Sequence, residues 1–432
     1  TEVLHARHST QKHSSKALSS DLVFSNQVEE ALRFDKGDDA LMTSWTTEDF
    51  TSKGDNYVSI ITRVVVHYNR GEDKKEVTYV VKIKQMKQSG CASDFDNMVF
   101  NKEGKFYSKL LPMLNSELLS IKQEPLKMPR CLHPNWCEEQ NHIFLEDLKP
   151  FKYILYDRRK SLDVQHTKLV LTELGRFHAS SYLLHSKNPK WKVHQDFNFL
   201  KWEWFTYSEK TKKAIEVLVE GGLKTAAKLA KVAGYESVSK WYEEIAPDGV
   251  KILEEQIMRG SSHFNAISHG DCWISNMLFR YDDKENPIDM KILDLQFVRH
   301  SNLTLDLSYF FFTSLSRKER IEHISDLLSA YYGSFKLIAD AASIVMPFTL
   351  KELDDEYCKA SIFGLIMSTL LVPNILCDPE EVQDFDGGSD GQAVAYVERK
   401  RNRTLQMFQT NIVFKQRFTE LFDDILDLVA FK

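Results

Sequence analysis

The rhythm of hydrophobic and polar positions changes along the chain. Residues 57 to 84 contain two β-rich runs, Tyr57 to Tyr68 and Val77 to Lys84, on either side of the charged, Gly-containing stretch Asn69 to Glu76. That pattern predicts a hairpin. From Asp94 to Leu114 the spacing becomes helical, with Phe95, Met98 and Val99, then Lys102, Phe106 and Leu110, tracing one side. Ile143 to Leu148 is a short apolar run that ends in an acidic turn, read as a strand leading from one part of the molecule to the next. A β-rich sheet with one long helix is therefore expected first.

The remainder reads as mostly helical. Val164, Leu169, Leu171, Leu174, Phe177, Tyr182 and Leu183 recur at helical intervals between Asp163 and Ser186, and Asp163 is placed to cap that helix. Lys210 to Arg259 continues in the same way, with Gly221, Gly222 and Gly234 as expected breaks. So does Arg317 to the C-terminus, outside the acidic, Gly-rich loop Asp378 to Gly391. The most apolar stretch, Ser361 to Leu376, is interrupted by Pro373 and falls short of the ~18 residues of a membrane span. It is expected as a buried helix, with no membrane as partner.

A length of 432 residues exceeds what one hydrophobic core serves, so two packing units are expected: 25–145 and 146–432, after a flexible tail at 1–24. With 43% hydrophobic and 27% charged residues, most of the chain should fold. A net charge of -6 offers no general basic surface, which argues against nucleic acid as a partner. The six cysteines include no CxxC pair and are read as reduced thiols of a cytoplasmic protein. Thr1 to Ser20 lacks the apolar core of a signal peptide, and a start at Thr1 fits a fragment or a processed chain.

The most informative chemistry lies between Ile267 and Gln296. Asp271 and Asn276 stand in a D-x-x-x-x-N relation, the spacing of phosphotransferase loops in which the Asp meets a substrate hydroxyl and the Asn carbonyl binds magnesium. Asn276 to Tyr281 and Ile288 to Asp294 are strand-like runs joined by the turn residues Asp282 to Pro287. Pairing about Glu285 would set Asn276 opposite Asp294, so that both could hold one divalent ion against nucleotide phosphates. Taken singly, each residue also has an ordinary explanation, and His269 is read as a packed loop histidine.

Near the start, Lys53 to Ser59 brings a glycine and the small polar residues Asn56 and Ser59, with Tyr57, directly before a strand. Backbone amides there could approach phosphate, although an ordinary polar turn fits the same residues. Lys82 and Lys84 share one face of the next strand, and either could reach phosphates; strand parity does not choose. Glu103 is available as an ion-pair partner on the following helix, or is simply a solvated helical glutamate.

Together these segments resemble the ecdysteroid kinase-like family of arthropods, related in fold to choline kinases and aminoglycoside phosphotransferases. The resemblance covers about residues 40 to 430. It rests on Gly54 to Ser59, Val80 to Lys82, Glu103 ahead of Phe106, Tyr107 and Leu110 to Pro112, Leu145 to Leu148, and Phe177 to Ser180. His269 to Asn276, Leu293 to Gln296 and Asp306 to Phe310 complete the series. It implies an α+β, two-lobed protein-kinase-like fold, with a β-rich nucleotide-binding lobe and a larger, mainly helical lobe for catalysis and substrate. It prefers Lys82 as the phosphate lysine with Glu103 as partner, and gives Glu146 and Leu148 the backbone groups that meet adenine. Asp306 is implied as a brace of the catalytic loop.

The cofactors implied are ATP and Mg2+, and the partner is a small-molecule hydroxyl acceptor: an ecdysteroid, another steroid-like compound or a xenobiotic. A kinase for a polar amino alcohol or sugar, and a catalytically silent binding protein of the same fold, are the rival readings. Gln296 stands where protein kinases carry the glycine of D-F-G, and the short segment from Asp294 to Asp306 leaves no room for an activation loop. A protein acceptor is accordingly not expected.

Overall fold

The computed structural model describes residues 22–49, 59–84, 91–133, 136–187, 193–201, 203, 208–259, 263–377 and 390–430. The expectations for residues 1–21, for Asn56 and Tyr57, and for the loop at 378–389 lie outside the described residues.

β-Branched residues dominate the run from Ile60 to Val66, and such side chains suit a pleated, half-buried surface. They build β2 of an antiparallel sheet ordered β1 (Ala40–Asp49), β2 (Ser59–Arg70), β3 (Asp73–Lys84) and β4 (His142–Glu146). The expected hairpin is present, but its loop is far shorter than Asn69 to Glu76. Arg70 pairs with Asp73, leaving Gly71 and Glu72 as the turn, with Gly71 at φ +64°. The charged residues beside the turn are strand ends whose side chains reach water. Helix α1 (Ser25–Lys36) and β1 were not expected; β1 is rich in Thr and Ser and presents no continuous apolar face. Val28, Ala31 and Leu32 of α1 join Val64, Val66, Val81, Ile83 and Phe144 in a small core of their own.

The helix expected at Asp94 to Leu114 is longer and irregular. It consists of α2 (Cys91–Lys105), a π-helical turn at Phe106–Leu110, and α3 (Leu111–Ser120). Pro112 supplies no amide to the regular ladder, consistent with a change of hydrogen-bond pattern just before it. Phe106, Leu110 and Leu114 face away from the small core and join the large one.

That large core is built by α4 (Val164–Lys187), α5 (Val193–Asp196), α6 (Glu209–Val232), α7 (Glu236–Ile245), α8 (Gly249–Met258), α9 (Thr304–Ser314), α10 (Arg317–Ala341), α11 (Leu350–Ile375), α12 (Asp390–Thr410) and α13 (Ile412–Ala430). Two small sheets lie among them. One has the order β5 (Ile154–Leu155), β7 (Met277–Tyr281), β8 (Pro287–Ile292), and the other pairs β6 (Asn265–Ser268) with β9 (Arg299–Asn302). The architecture is α+β, with a β-rich N-terminal part and a larger helical part, as expected.

Asp163 caps α4, its Oδ1 accepting the His166 amide at 2.9 Å. Of the three glycine breaks, only Gly234 ends a helix, at φ +86°. α6 runs through Gly221 and Gly222, where a Cβ would lie 2.3 Å from Val397 of α12 and 2.5 Å from Leu370 of α11. Close helix approach, not chain reversal, selects glycine there. Pro373 does not interrupt α11 either: the helix extends for 26 residues and is long and apolar enough to cross a membrane. More than half of its apolar window is buried, against α9 among others. All of α9 is buried, which makes it the internal post on which the site is mounted.

Candidate active site

The loop after β6 is drawn tight by one carboxylate. Asp306 of α9 accepts the His269 amide at 2.6 Å through Oδ2 and the Gly270 amide at 2.9 Å through Oδ1. His178 of α4 approaches the same Oδ2 at 3.2 Å and is itself 2.7 Å from the Tyr331 hydroxyl. Burial works against the Asp306 charge, but His178, His269 and the Gly270 amide together outweigh it and hold the carboxyl below its usual range. Gly270 adopts φ +82°, and a Cβ there would meet the Phe297 carbonyl oxygen at 2.1 Å, so only glycine fits.

His269 ties this loop to the next one. The Asp271 amide donates to its Nδ1 at 3.2 Å, which leaves the proton on Nε2 to be donated to the Leu293 carbonyl at 2.8 Å. The imidazole is thus a strut between the two loops, the packed role its sequence context suggested.

Asp271 is held from both sides. Tyr309, buried on α9, donates its hydroxyl to Oδ1 at 2.6 Å, and Asn276 Nδ2 donates to Oδ2 and to the Asp271 carbonyl, both at 2.9 Å. Burial raises the Asp271 pKa above the ordinary carboxylate value, and the Tyr309 hydrogen bond opposes that rise. Because both Asn276 contacts are made by its nitrogen, its amide oxygen faces the opposite way.

The register of the β7–β8 hairpin corrects the sequence expectation by one residue. Met277 pairs with Ile292, and the Leu293 amide donates to the Asn276 carbonyl at 2.8 Å, so Asn276 lies opposite Leu293 rather than Asp294. Tyr281 pairs with Pro287, so the turn centres on Lys284 rather than Glu285, and the shift between Arg280 and Tyr281 recovers one of the two residues by which the register would otherwise differ. A slip of one residue reverses the face of every side chain. Asp294 re-aims its own by leaving the strand: it sits at φ 65°, ψ 68°, a left-handed conformation that Asp tolerates better than most residues.

So turned, Asp294 meets the N-terminal sheet. Lys82 Nζ lies 2.8 and 2.9 Å from the two Glu103 oxygens and 2.9 Å from Asp294 Oδ1. Burial disfavours the ammonium, yet Asp294 and Glu103 more than compensate and raise its pKa above the usual lysine value. Glu103 is buried, not solvated. Lys84 takes no part in this cluster; its Nζ lies 5.9 Å from the Phe100 ring. The Asp294 side chain keeps 24% exposure against 3% for Glu103, so of the two carboxylates it alone has a face open to a ligand.

An amide oxygen of Asn276 and a carboxylate of Asp294 are hard donors of the kind a magnesium ion takes while keeping several waters, so the residues present fit that ion. Of the other expected positions, Ser59 opens β2 and pairs with Lys84. Glu146 ends β4 opposite Tyr79, its carboxylate contacting Arg130. Leu148 is buried and its carbonyl accepts the Phe151 and Tyr153 amides at 3.2 and 3.3 Å. Asp147 between them is structural, bound by Arg63 at 2.8 Å and Thr78 at 2.7 Å. Tyr309 was missed as a site residue, although its position three residues after Asp306 on a helix carried the signal.

The ecdysteroid kinase-like family model matches residues 53–342. No curated protein matches the chain. Among solved structures, the chain is similar to an ethanolamine kinase of Plasmodium vivax, at 12% identity and TM-score 0.39, over 92% of this chain and 87% of that one. It is similar to the choline kinase LicA from Streptococcus pneumoniae at 10% identity and TM-score 0.35, over 87% of this chain and 98% of that one. A GDP complex of an aminoglycoside 2'-phosphotransferase-IIIa variant shows 12% identity and TM-score 0.35, over 89% of this chain and 98% of that one.

Proposed function

The chain belongs to the ecdysteroid kinase-like family, and from that premise we propose that it is an active, cytoplasmic kinase that transfers the γ-phosphoryl group of ATP to an alcohol hydroxyl of a small molecule, an ecdysteroid or similar lipophilic acceptor. The observation that carries this reading is the meeting of Lys82, Glu103 and Asp294, from three separate elements, one histidine strut away from Asp271 and Asn276.

Phosphoryl transfer asks for position and charge more than for covalent chemistry. Lys82, held by Glu103, would pair with the nucleotide phosphates, and Glu146 and Leu148 would offer backbone groups to adenine. The Asn276 oxygen and Asp294 would hold magnesium, which neutralises phosphate charge when bound. Asp271 orients the acceptor hydroxyl and takes its proton as the new oxygen–phosphorus bond forms and the bond to ADP breaks. Tyr309 and Asn276 keep that carboxylate in one rotamer. Asn56, Tyr57 and Ser59 are assigned to the phosphate side of the nucleotide.

The test is ATP consumption over a panel of ecdysteroids, other sterols, phenolic glycosides and amino alcohols, with the phosphorylated product identified by mass. Transfer to a sterol hydroxyl is the expected result. Transfer to amino alcohols alone would replace the acceptor class, and nucleotide binding without transfer to anything would favour a silent binding protein.

A further inference from the structure

The chain leaves the first sheet at Asp147 and is held there by side chains instead of by the ladder. Asp147 is buried; its Oδ2 accepts Arg63 Nε of β2 at 2.8 Å and the Thr78 hydroxyl of β3 at 2.7 Å, and its Oδ1 accepts the Lys149 amide at 3.0 Å. On either side of this clamp stands a backbone group with no partner among the described residues. Glu146 pairs with Tyr79 but turns its amide away from that strand, to the Arg130 carbonyl at 2.9 Å. The amide and carbonyl of one strand residue share an edge, so the Glu146 carbonyl also faces away from β3, and no described group donates to it. Beyond the clamp, the Leu148 amide donates to no described group, although Leu148 is buried. The Leu148 carbonyl is filled, because the Phe151 and Tyr153 amides take both its lone pairs. Buried backbone groups are almost always paired, so a free acceptor and a free donor two residues apart point to a ligand edge that supplies both partners.

We propose that Asp147 is a positioning residue that fixes this order of groups, acceptor at Glu146 and donor at Leu148, and so selects adenine over guanine nucleotides. The exocyclic amino group of adenine donates and the neighbouring ring nitrogen accepts, which matches the pair. Guanine carries an oxygen and an N–H in those places, the reverse order. Shifted along by one group, guanine would need the Leu148 amide for its oxygen and the Leu148 carbonyl for its N–H, and that carbonyl is already taken. With its carboxylate anchored on two strands, Asp147 keeps the peptide groups on both sides from turning to offer the opposite order. The inference rests on reading Glu146 and Leu148 as the residues whose backbone meets the base.

Calorimetric titration of the full chain with Mg-ADP, Mg-GDP and, as a probe without a base, Mg-tripolyphosphate requires no turnover. The wild-type protein should bind Mg-ADP at least ~10-fold more tightly than Mg-GDP, within the discrimination that a bidentate base contact provides. In Thr78→Val and in Asp147→Asn that ratio should fall by at least about threefold while the affinity for tripolyphosphate changes by less than about twofold, and Thr78→Ser, which keeps the hydroxyl, should keep the ratio. With an acceptor from the panel above, Thr78→Val should raise the KM for ATP and leave kcat within about twofold of the wild-type value. Equal affinity of the wild-type protein for Mg-ADP and Mg-GDP would overturn the proposal, as would variants that weaken every probe alike or leave the ratio intact. Should Mg-ADP bind without phosphate transfer to any acceptor, the ratio still decides nucleotide choice, and the claim of activity fails separately.

Discussion

Lys82 and Lys84 are two residues apart on one strand and share its face, yet they meet different surroundings. Lys82 is enclosed by two carboxylates, whereas burial near an aromatic ring lowers the Lys84 pKa. Lys82→Met is therefore expected to lower kcat/KM for ATP at least ~100-fold, and Lys84→Met by less than about threefold, in steady-state kinetics at saturating acceptor. Equal effects would remove the assignment. Tyr309 presents a different case, since its hydrogen bond favours the charged form of Asp271 and opposes the rise caused by burial. Tyr309→Phe removes that support, so the Asp271 pKa rises and the acid limb of kcat/KM should move to higher pH, with kcat lower by ~10-fold. A limb that stays in place or moves to lower pH would contradict the contact's role.

At the scale of elements, the tightest restraint is the glycine turn. Gly270→Ala must hold a left-handed conformation, which costs a residue with a Cβ ~1–2 kcal/mol, and must also push against the Phe297 carbonyl. Calorimetry should show a Tm lower by at least about 2 °C, with little remaining activity. What was legible in the sequence follows from range. Asp271, Asn276 and the helices α4, α10 and α13 are written in local spacing, and local spacing is what a single sequence displays. The β7–β8 register differs by one residue because the turn centres on Lys284 rather than Glu285 and the shift beside Arg280 recovers only half of that difference; neither leaves a mark in the pattern of apolar residues. Gly221 and Gly222 read as breaks because a glycine chosen for close approach of α11 and α12 looks the same in one dimension as a glycine chosen for a turn. Arg299 was invisible, since only the folded chain brings its Nη2 to the Gly270 carbonyl at 2.7 Å and its Nη1 to Glu203, nearly a hundred positions away, at 3.2 Å.

For the molecule as a whole, the site lies where the small core of α1 and the first sheet gives way to the large helical core. Ligands that engage both sides should hold the two together. Mg-ATP at a hundredfold excess over its Kd should raise stability by ~2.7 kcal/mol, and Asp294→Ala should lose most of that gain together with its dependence on magnesium. A magnesium-dependent shift retained in full by the variant would mean that the ion is held elsewhere.

The central claim, that Asp271 serves phosphoryl transfer in an active kinase, is tested most directly by comparing the wild-type protein with Asp271→Asn in a product-resolved transfer assay. The substitution preserves size and much of the hydrogen bonding to Tyr309 and Asn276 but cannot accept the proton of the acceptor hydroxyl. Such assistance contributes ~10²–10⁴ in rate, so kcat should fall by about that factor while the affinities for Mg-ATP and acceptor change by less than about threefold. An unaltered kcat in Asp271→Asn would contradict the account.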